Sequence, residues 1–245
     1  RIAAMAERFG LGAETGIGVG GERTGLVPTK EWKLATIGEP WQGGETLNVG
    51  IGQGHLLTTP LQLAMMTAQL ANGGKRVRPR LMYSPKAETP KSGEAAETAT
   101  EIKGEPVSLG LSEHALAIVR EGMWRVTNSE TGTAYRARIK DPAMAMAGKS
   151  GTAQVRRISK YERETRVLKN KERLWKERDH ALFVAYAPVD APRYAISVIV
   201  EHGGGGSSVA APIARDILEA AQKRDPSRTA PAGMAVNRQQ DAGEG

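Results

Sequence analysis

The sequence predicts an α+β fold in which an antiparallel sheet is flanked by helices. Three observations carry that expectation. Two apolar, β-branched runs at 181–187 (ALFVAYA) and 194–202 (YAISVIVEH) are separated by a short turn containing Pro188, Asp190 and Pro192, the signature of a β-hairpin. A third extended segment, AMAGKSGTAQV at 145–155, places Gly151 where a helix would be interrupted and supplies Thr152 and Val155 for a pleated strand. Apolar residues recur at helical spacing after Thr59 and again after Ser112.

Taken in chain order, residues 1–9 read as a helix with Ile2, Met5, Ala6 and Phe9 on one face, closed by Gly10. The glycine-rich stretch from Gly12 to Gly25 follows. No apolar strand precedes it and no helix opens on it, so it is an irregular segment and not a dinucleotide fingerprint. Thr59 caps the next helix, Pro60 suits its first position and Gln62 completes a capping box. Leu61, Ala64, Met65 and Ala68 form its expected core stripe, and Asn72-Gly73-Gly74 stops it. Residues 84–106 are poor in large apolar side chains and predict an exposed connection. Ser112 caps a second helix with Leu116, Val119, Met123 and Val126 in register, ending near Asn128. After the hairpin, the run His202-Gly203-Gly204-Gly205-Gly206 predicts close packing of the sheet end against a last helix at 208–221, with Val209, Ile213, Ile217 and Leu218 facing the core. A disordered tail is expected at 223–245.

Composition narrows the chemistry. With no cysteine, thiol catalysis, disulfides and cysteine-bound metal are excluded, and His55, His114, His180 and His202 lack metal-ligand spacing. No metal or cofactor is expected. The net charge of +7 is mostly local: residues 156–179 hold ten Lys/Arg and five Asp/Glu, or +5. Those bases alternate with glutamates and few aromatics interleave, so a solvated charged insertion between strands is expected and no nucleic-acid partner.

The letters GKS at 148–150 invite a phosphate-loop reading, which requires a glycine at 143 and a helix afterwards. Position 143 is Ala143 and Gly151 follows at once, so Lys149 belongs on a strand. A strand carrying Lys-Ser-Gly-Thr resembles one of the three sequence elements of the serine acyl-transferases, in which such a lysine supplies fixed positive charge that attracts a substrate carboxylate and stabilises the oxyanion of a tetrahedral transition state. Ser150 and Thr152, two apart, point their hydroxyls to one face and can grip that carboxylate. Gly151 leaves room for an acyl group along the strand, and the Thr152 N–H can serve an oxyanion hole.

The segments TGLVPTKEWK, PWQGGETLNVGIGQG, TPLQLA, AGKSGTAQV and DHALFVAYAP, in this order, resemble the penicillin-binding protein transpeptidases, and among them the class B enzymes of the penicillin-binding protein 2 type. The likeness covers roughly nine-tenths of the chain and fails only in the tail. It implies a penicillin-binding-protein/serine β-lactamase-like transpeptidase fold, present in part. It also implies a D,D-transpeptidase that acylates a serine with the stem peptide of peptidoglycan, passes the acyl group to a neighbouring strand, and binds β-lactam antibiotics. Lys149 then matches the family's strand lysine, Ser150, Gly151 and Thr152 its substrate-binding residues, and the Thr152 N–H its oxyanion donor. A periplasmic location, with an inner-membrane anchor in an N-terminal segment outside this sequence, is implied as well. So are partners in the elongation machinery, a glycosyltransferase and a scaffold protein.

One departure matters. No serine begins a Ser-x-x-Lys or Ser-x-Asn motif, so no nucleophile is present in this sequence. In the family both motifs precede the segment that matches Arg1. Residues 1–222 are therefore expected to be the C-terminal part of a transpeptidase domain, inactive alone. Two other readings stay open at this level: a non-catalytic binding or structural module, and a serine β-lactamase, whose strand motif is shared.

Overall fold

The computed structural model describes residues 1–81, 107–156 and 158–225. The expected connection at 84–106 falls wholly outside these residues, as does the expected tail from 226 onward.

A three-stranded antiparallel sheet, ordered β1 (Ala147–Ala153), β2 (His180–Ala187) and β3 (Tyr194–Val200), forms the centre. Helices cover both faces. On one face lies α7 (Ala211–Lys223), packed on β2 and β3 over Phe183, Ala185, Met146 and Leu218. On the other lie α4 (Pro60–Ala71), against β3 and β2, and α5 (Glu113–Asn128), against β1. Tyr186, Ala147, Ala71 and Met123 fill that second interface. Three shorter helices, α1 (Ile2–Arg8), α2 (Lys30–Ile37) and α3 (Gly43–Gly50), precede α4, and a fourth, α6 (Lys160–Glu164), lies in the charged insertion.

The expected hairpin and the strand of Lys149 pair as the alternation of buried residues requires. The register sets Ala147 opposite Tyr186, Lys149 opposite Val184, and Gly151 opposite Leu182. Strand residues of odd number in β1 thus share the α4/α5 face, while Ser150 and Thr152 share the α7 face with Phe183 and Ala181.

Capping follows the sequence closely. The Thr59 hydroxyl accepts from the Gln62 N–H at 3.2 Å, and the Gln62 side-chain oxygen accepts from the Thr59 N–H at 3.0 Å. Gln62 does more than cap. Its amide nitrogen also donates to the carbonyls of Ala13 and Thr24, both at 2.8 Å, so the buried side chain pins the glycine-rich segment to α4. Replacing it with leucine strands the Ala13 and Thr24 carbonyls and the Thr59 N–H together. Gln62→Leu should cost about 2 kcal/mol in a denaturant titration; a change below about 0.5 kcal/mol would mean that water takes over all three.

Two core expectations need correction. On α4 the fully covered side chains are Gln62, Thr67 and Gln69, with Leu61, Ala64, Met65 and Ala68 only half-buried. The polar groups are tolerated because each is bonded: the Gln69 amide to Phe9 O at 2.9 Å, the Thr67 hydroxyl to Leu63 O at 2.7 Å. On α7 the buried positions are Ala211, Ala214, Leu218 and Gln222, while Ile213 and Ile217 face solvent. The small side chains of Ala211 and Ala214 let the helix lie close on the sheet, which selects that register over the bulkier one.

Candidate functional site around strand β1

Strand β1 is an edge strand, so half of its backbone groups face away from the sheet. Partners outside the sheet identify which half. The Met146 carbonyl accepts from the Thr127 hydroxyl at 2.7 Å and the Asn128 amide at 2.9 Å. The Ser150 carbonyl accepts from Lys149 Nζ at 2.7 Å, and the Thr152 carbonyl from Gln53 Nε2 at 3.0 Å. Residues of even number therefore present their N–H and C=O groups at the open edge. Thr127 and Asn128, the last residues of α5, anchor the start of the strand, and the edge opens beyond them.

Lys149, Ser150, Gly151 and Thr152 all lie on β1, as expected. They divide between its faces. Lys149 is exposed and leaves on the α4/α5 face, Ser150 is half-buried on the α7 face, and Thr152 is exposed there. What unites them is the edge between the faces, around which the Lys149 side chain curls to reach the Ser150 carbonyl. Behind Gly151 the chain is held by Gly206, in the turn leading into α7. A methyl group at Gly206 would lie 2.3 Å from the Leu182 carbonyl and 2.4 Å from the Gly151 carbonyl, so only glycine fits.

Past Thr152 the edge runs into a cleft of about 880 Å³. Its walls are α3 with the following loop, which contribute Glu45, Asn48, Gln53 and His55, and the end of the β1 segment with α6, which contribute Gln154, Arg156 and Arg163. Lys149 does not line it. Gln53, whose side chain closes the near end on Thr152, comes from the segment IGQGHLL ninety-nine residues earlier. Local pattern gives no signal for that contact.

The wall charges are largely spent. Lys33 is buried and donates to Glu45 Oε2 and to Pro40 O, both at 2.9 Å, which ties α2 to α3. The Gln42 N–H and then the Lys33 ammonium hold the Glu45 carboxyl below the usual carboxylate range. Arg156 donates to both carboxylate oxygens of Glu162, at 2.7 and 2.6 Å. That pairing, with the Ser159 N–H, lowers the Glu162 pKa from 4.5 to about 2. Because the folded value is depressed, this pair supports the fold above pH 4.5 and its support is lost as pH falls toward 2. NMR titration of Glu162 should give a midpoint near 2; a midpoint near 4.5 would mean the pair does not form.

Elsewhere the insertion is cross-braced. Arg166 pairs with Glu172 at 3.0 Å and Arg173 with Asp179 at 3.3 Å. The His202 N–H donates to His180 Nδ1 at 2.9 Å, which fixes the far end of the hairpin. Among the described residues no cluster of ligating side chains could hold a metal ion, and no helix is long and apolar enough to cross a membrane.

Comparison with known proteins agrees with this architecture. The family model described as the penicillin binding protein transpeptidase domain matches residues 1–219. The peptidoglycan D,D-transpeptidase MrdA of Haemophilus influenzae is 38% identical over 89% of this chain and 32% of its own length. The protein of that name from Acinetobacter baumannii is 36% identical over 94% of this chain and 32% of its own. The chain thus spans about a third of the length of these curated relatives. Among solved structures, Pseudomonas aeruginosa PBP2 in complex with WCK 5153 superposes with a TM-score of 0.70 at 36% identity, covering 91% of this chain and 44% of that one. PBP2 from Helicobacter pylori in its complex with MreC gives 0.69 at 30% identity, covering 89% and 34%. The antiparallel sheet, its covering helices and the match over residues 1–219 lead to one conclusion: this chain belongs to the penicillin-binding protein transpeptidase family.

Proposed function

We propose that the chain is the C-terminal part, over residues 1–222, of the transpeptidase domain of a peptidoglycan D,D-transpeptidase of the cell-elongation machinery. The observation that carries this reading is the open edge of β1, where the Lys149 ammonium stands beside the outward backbone of Ser150 and Thr152, whose carbonyls are held by Lys149 Nζ and Gln53 Nε2.

A stem peptide ending in D-Ala-D-Ala adds to that edge as an extra strand. The Ser150 and Thr152 hydroxyls, with the charge of Lys149, take its terminal carboxylate. The Thr152 N–H points at the carbonyl oxygen that becomes an oxyanion. A serine from a part of the protein outside this sequence attacks the penultimate residue's carbonyl carbon, the C–N bond breaks, and D-alanine leaves with the proton on its amine. An amine of a neighbouring stem then attacks the ester, forming the cross-link and returning the proton to the serine. A β-lactam enters by the same route and acylates the same serine.

With no nucleophile in its sequence, this chain alone does not acylate. The full-length protein is placed in the periplasm, anchored to the inner membrane, with a glycosyltransferase and a scaffold protein as partners. Support for such partners comes from the H. pylori relative, whose solved complex is with MreC. The insertion at 156–179 is one surface on which they could dock.

A fluorescent β-lactam tests the reading. The full-length protein should become covalently labelled and keep its label, and the 245-residue chain should not. A full-length protein that contains Ser-x-x-Lys and refuses label would favour a non-catalytic module. Fast hydrolysis of a chromogenic β-lactam would favour a β-lactamase.

A further inference from the structure

The charged insertion between β1 and β2 carries a surface that the chemistry at the β1 edge does not use. Its carboxylates are taken up within it. Glu162 pairs with Arg156, Glu164 with Lys160, Glu172 with Arg166 and Asp179 with Arg173, while Glu177 adds to the negative field around Arg156. Lys171 and Lys176 are exposed, and their ammonium groups form no ion pair among the described residues. In sequence between these lysines lie Leu174 and Trp175, 65% and 62% exposed. Two large apolar side chains are thus set in uncompensated positive charge.

They do not ride on a loose loop. Two single-turn 3₁₀ helices, Asn170–Glu172 and Trp175–Glu177, are fastened to the end of the β2–β3 hairpin. The Asn170 side-chain oxygen accepts from the Asp179 N–H at 2.9 Å, the Asp179 carbonyl accepts from the Gly204 N–H at 2.8 Å, and His202 Nδ1 lies 2.9 Å from the Arg178 carbonyl. The Arg173–Asp179 pair that closes this lobe is almost fully covered. The Trp175 ring leans on that of His202, with centroids 4.4 Å apart, so the indole is held in place and still shows most of its surface. A side chain fixed in this way loses little rotamer freedom when a partner covers it.

We propose that the lobe at 169–179 is a docking surface for an acidic segment of another protein, whose apolar side chains cover Leu174 and Trp175 and whose carboxylates meet Lys171 and Lys176. Charge complementarity selects the partner, and a fixed tryptophan inside a polar rim has the composition of a binding hot spot. A lipid surface fits less well. Glu172 in the lobe and Glu201 beside His202 are both exposed, and anionic headgroups would repel them, whereas a polypeptide can place its own charges around them. The proposal extends the docking role given above to the insertion and does not depend on the catalytic reading of the β1 edge.

The test uses the full-length protein and a fluorescein-labelled synthetic peptide of glutamates interrupted by leucines, read by fluorescence anisotropy. Two control peptides carry glutamine for every glutamate or serine for every leucine. The acidic, leucine-containing peptide should bind at least about tenfold more tightly than either control. Trp175→Ala should weaken it about tenfold. Lys171→Glu combined with Lys176→Glu should weaken it by about the same factor and flatten its dependence on salt. Each variant should take up a fluorescent β-lactam at the wild-type rate, which reports an intact fold, and the comparison of the three peptides on the wild-type protein needs no variant at all. Failure of the acidic peptide to bind, equal binding of the controls, or binding that Trp175→Ala leaves unchanged overturns the surface, the last because it reduces the contact to charge attraction alone. Binding to vesicles of phosphatidylglycerol and phosphatidylcholine that the same substitutions abolish overturns it in favour of a membrane. Refusal of the β-lactam by the wild-type protein counts against the transpeptidase reading alone.

Discussion

Replacing Lys149 with alanine in the full-length protein should slow acylation by a fluorescent β-lactam at least about tenfold, because fixed charge beside a developing oxyanion is worth a few kcal/mol. The geometry explains why one side chain has so large an effect. Lys149 Nζ sits at the open edge, 2.7 Å from the Ser150 carbonyl, where a docked carboxylate would also lie. On the proposed mechanism its charge acts on ground-state binding and on the transition state at once. The two contributions separate in the kinetics: loss of carboxylate attraction raises KM, whereas loss of oxyanion stabilisation lowers kcat. Unchanged acylation would remove Lys149 from the mechanism and leave the edge with backbone groups alone.

Gly206→Ala should produce the largest stability loss, upwards of about 3 kcal/mol. The added methyl would lie 2.3 Å from the Leu182 carbonyl, 2.4 Å from the Gly151 carbonyl and 3.0 Å from the Gly151 nitrogen. These are backbone atoms of a pair that face each other in the β1–β2 ladder, and no rotamer change moves them. Either the turn before α7 lifts off or β1 shifts, and a shift carries Thr152 with it. Acylation should therefore fall along with the denaturant midpoint. Gly122→Ala provides the contrast: it lies in α5 with open space around it, and should gain about 1 kcal/mol through helix propensity. Equal effects at the two glycines would show that the turn is not seated on the strand.

How legible these features were depended on range. Helices α4 and α5 were readable because Thr59, Gln62 and Ser112 act on backbone groups three residues away. The strand of Lys149 was readable from Gly151 and Thr152, since a residue's conformational preference is local. Helices α2 and α3 were missed. Each has eight residues, and the charged Lys33 is buried in one while two glycines open the other, so neither shows an apolar period. The core face of α7 was misassigned because hydrophobicity alone ranks Ile213 above Ala214, whereas the packing distance between helix and sheet favours the smaller residue. The cleft could not be read at all. Gln53, His55 and Arg163 converge only after the chain has closed from α3 to β1, and no spacing in the sequence encodes that.

The Lys149 and Gln53 side chains satisfy the two carbonyls that an incoming strand would otherwise seek. An exposed strand margin is also a template for identical molecules, which can zip together into dimers or fibrils. Here the margin carries the exposed Lys149 ammonium, and an edge lysine disfavours such pairing. The residue proposed to attract substrate would then also disfavour self-association, and Lys149→Ala should sediment as larger species than the unaltered protein at the same concentration.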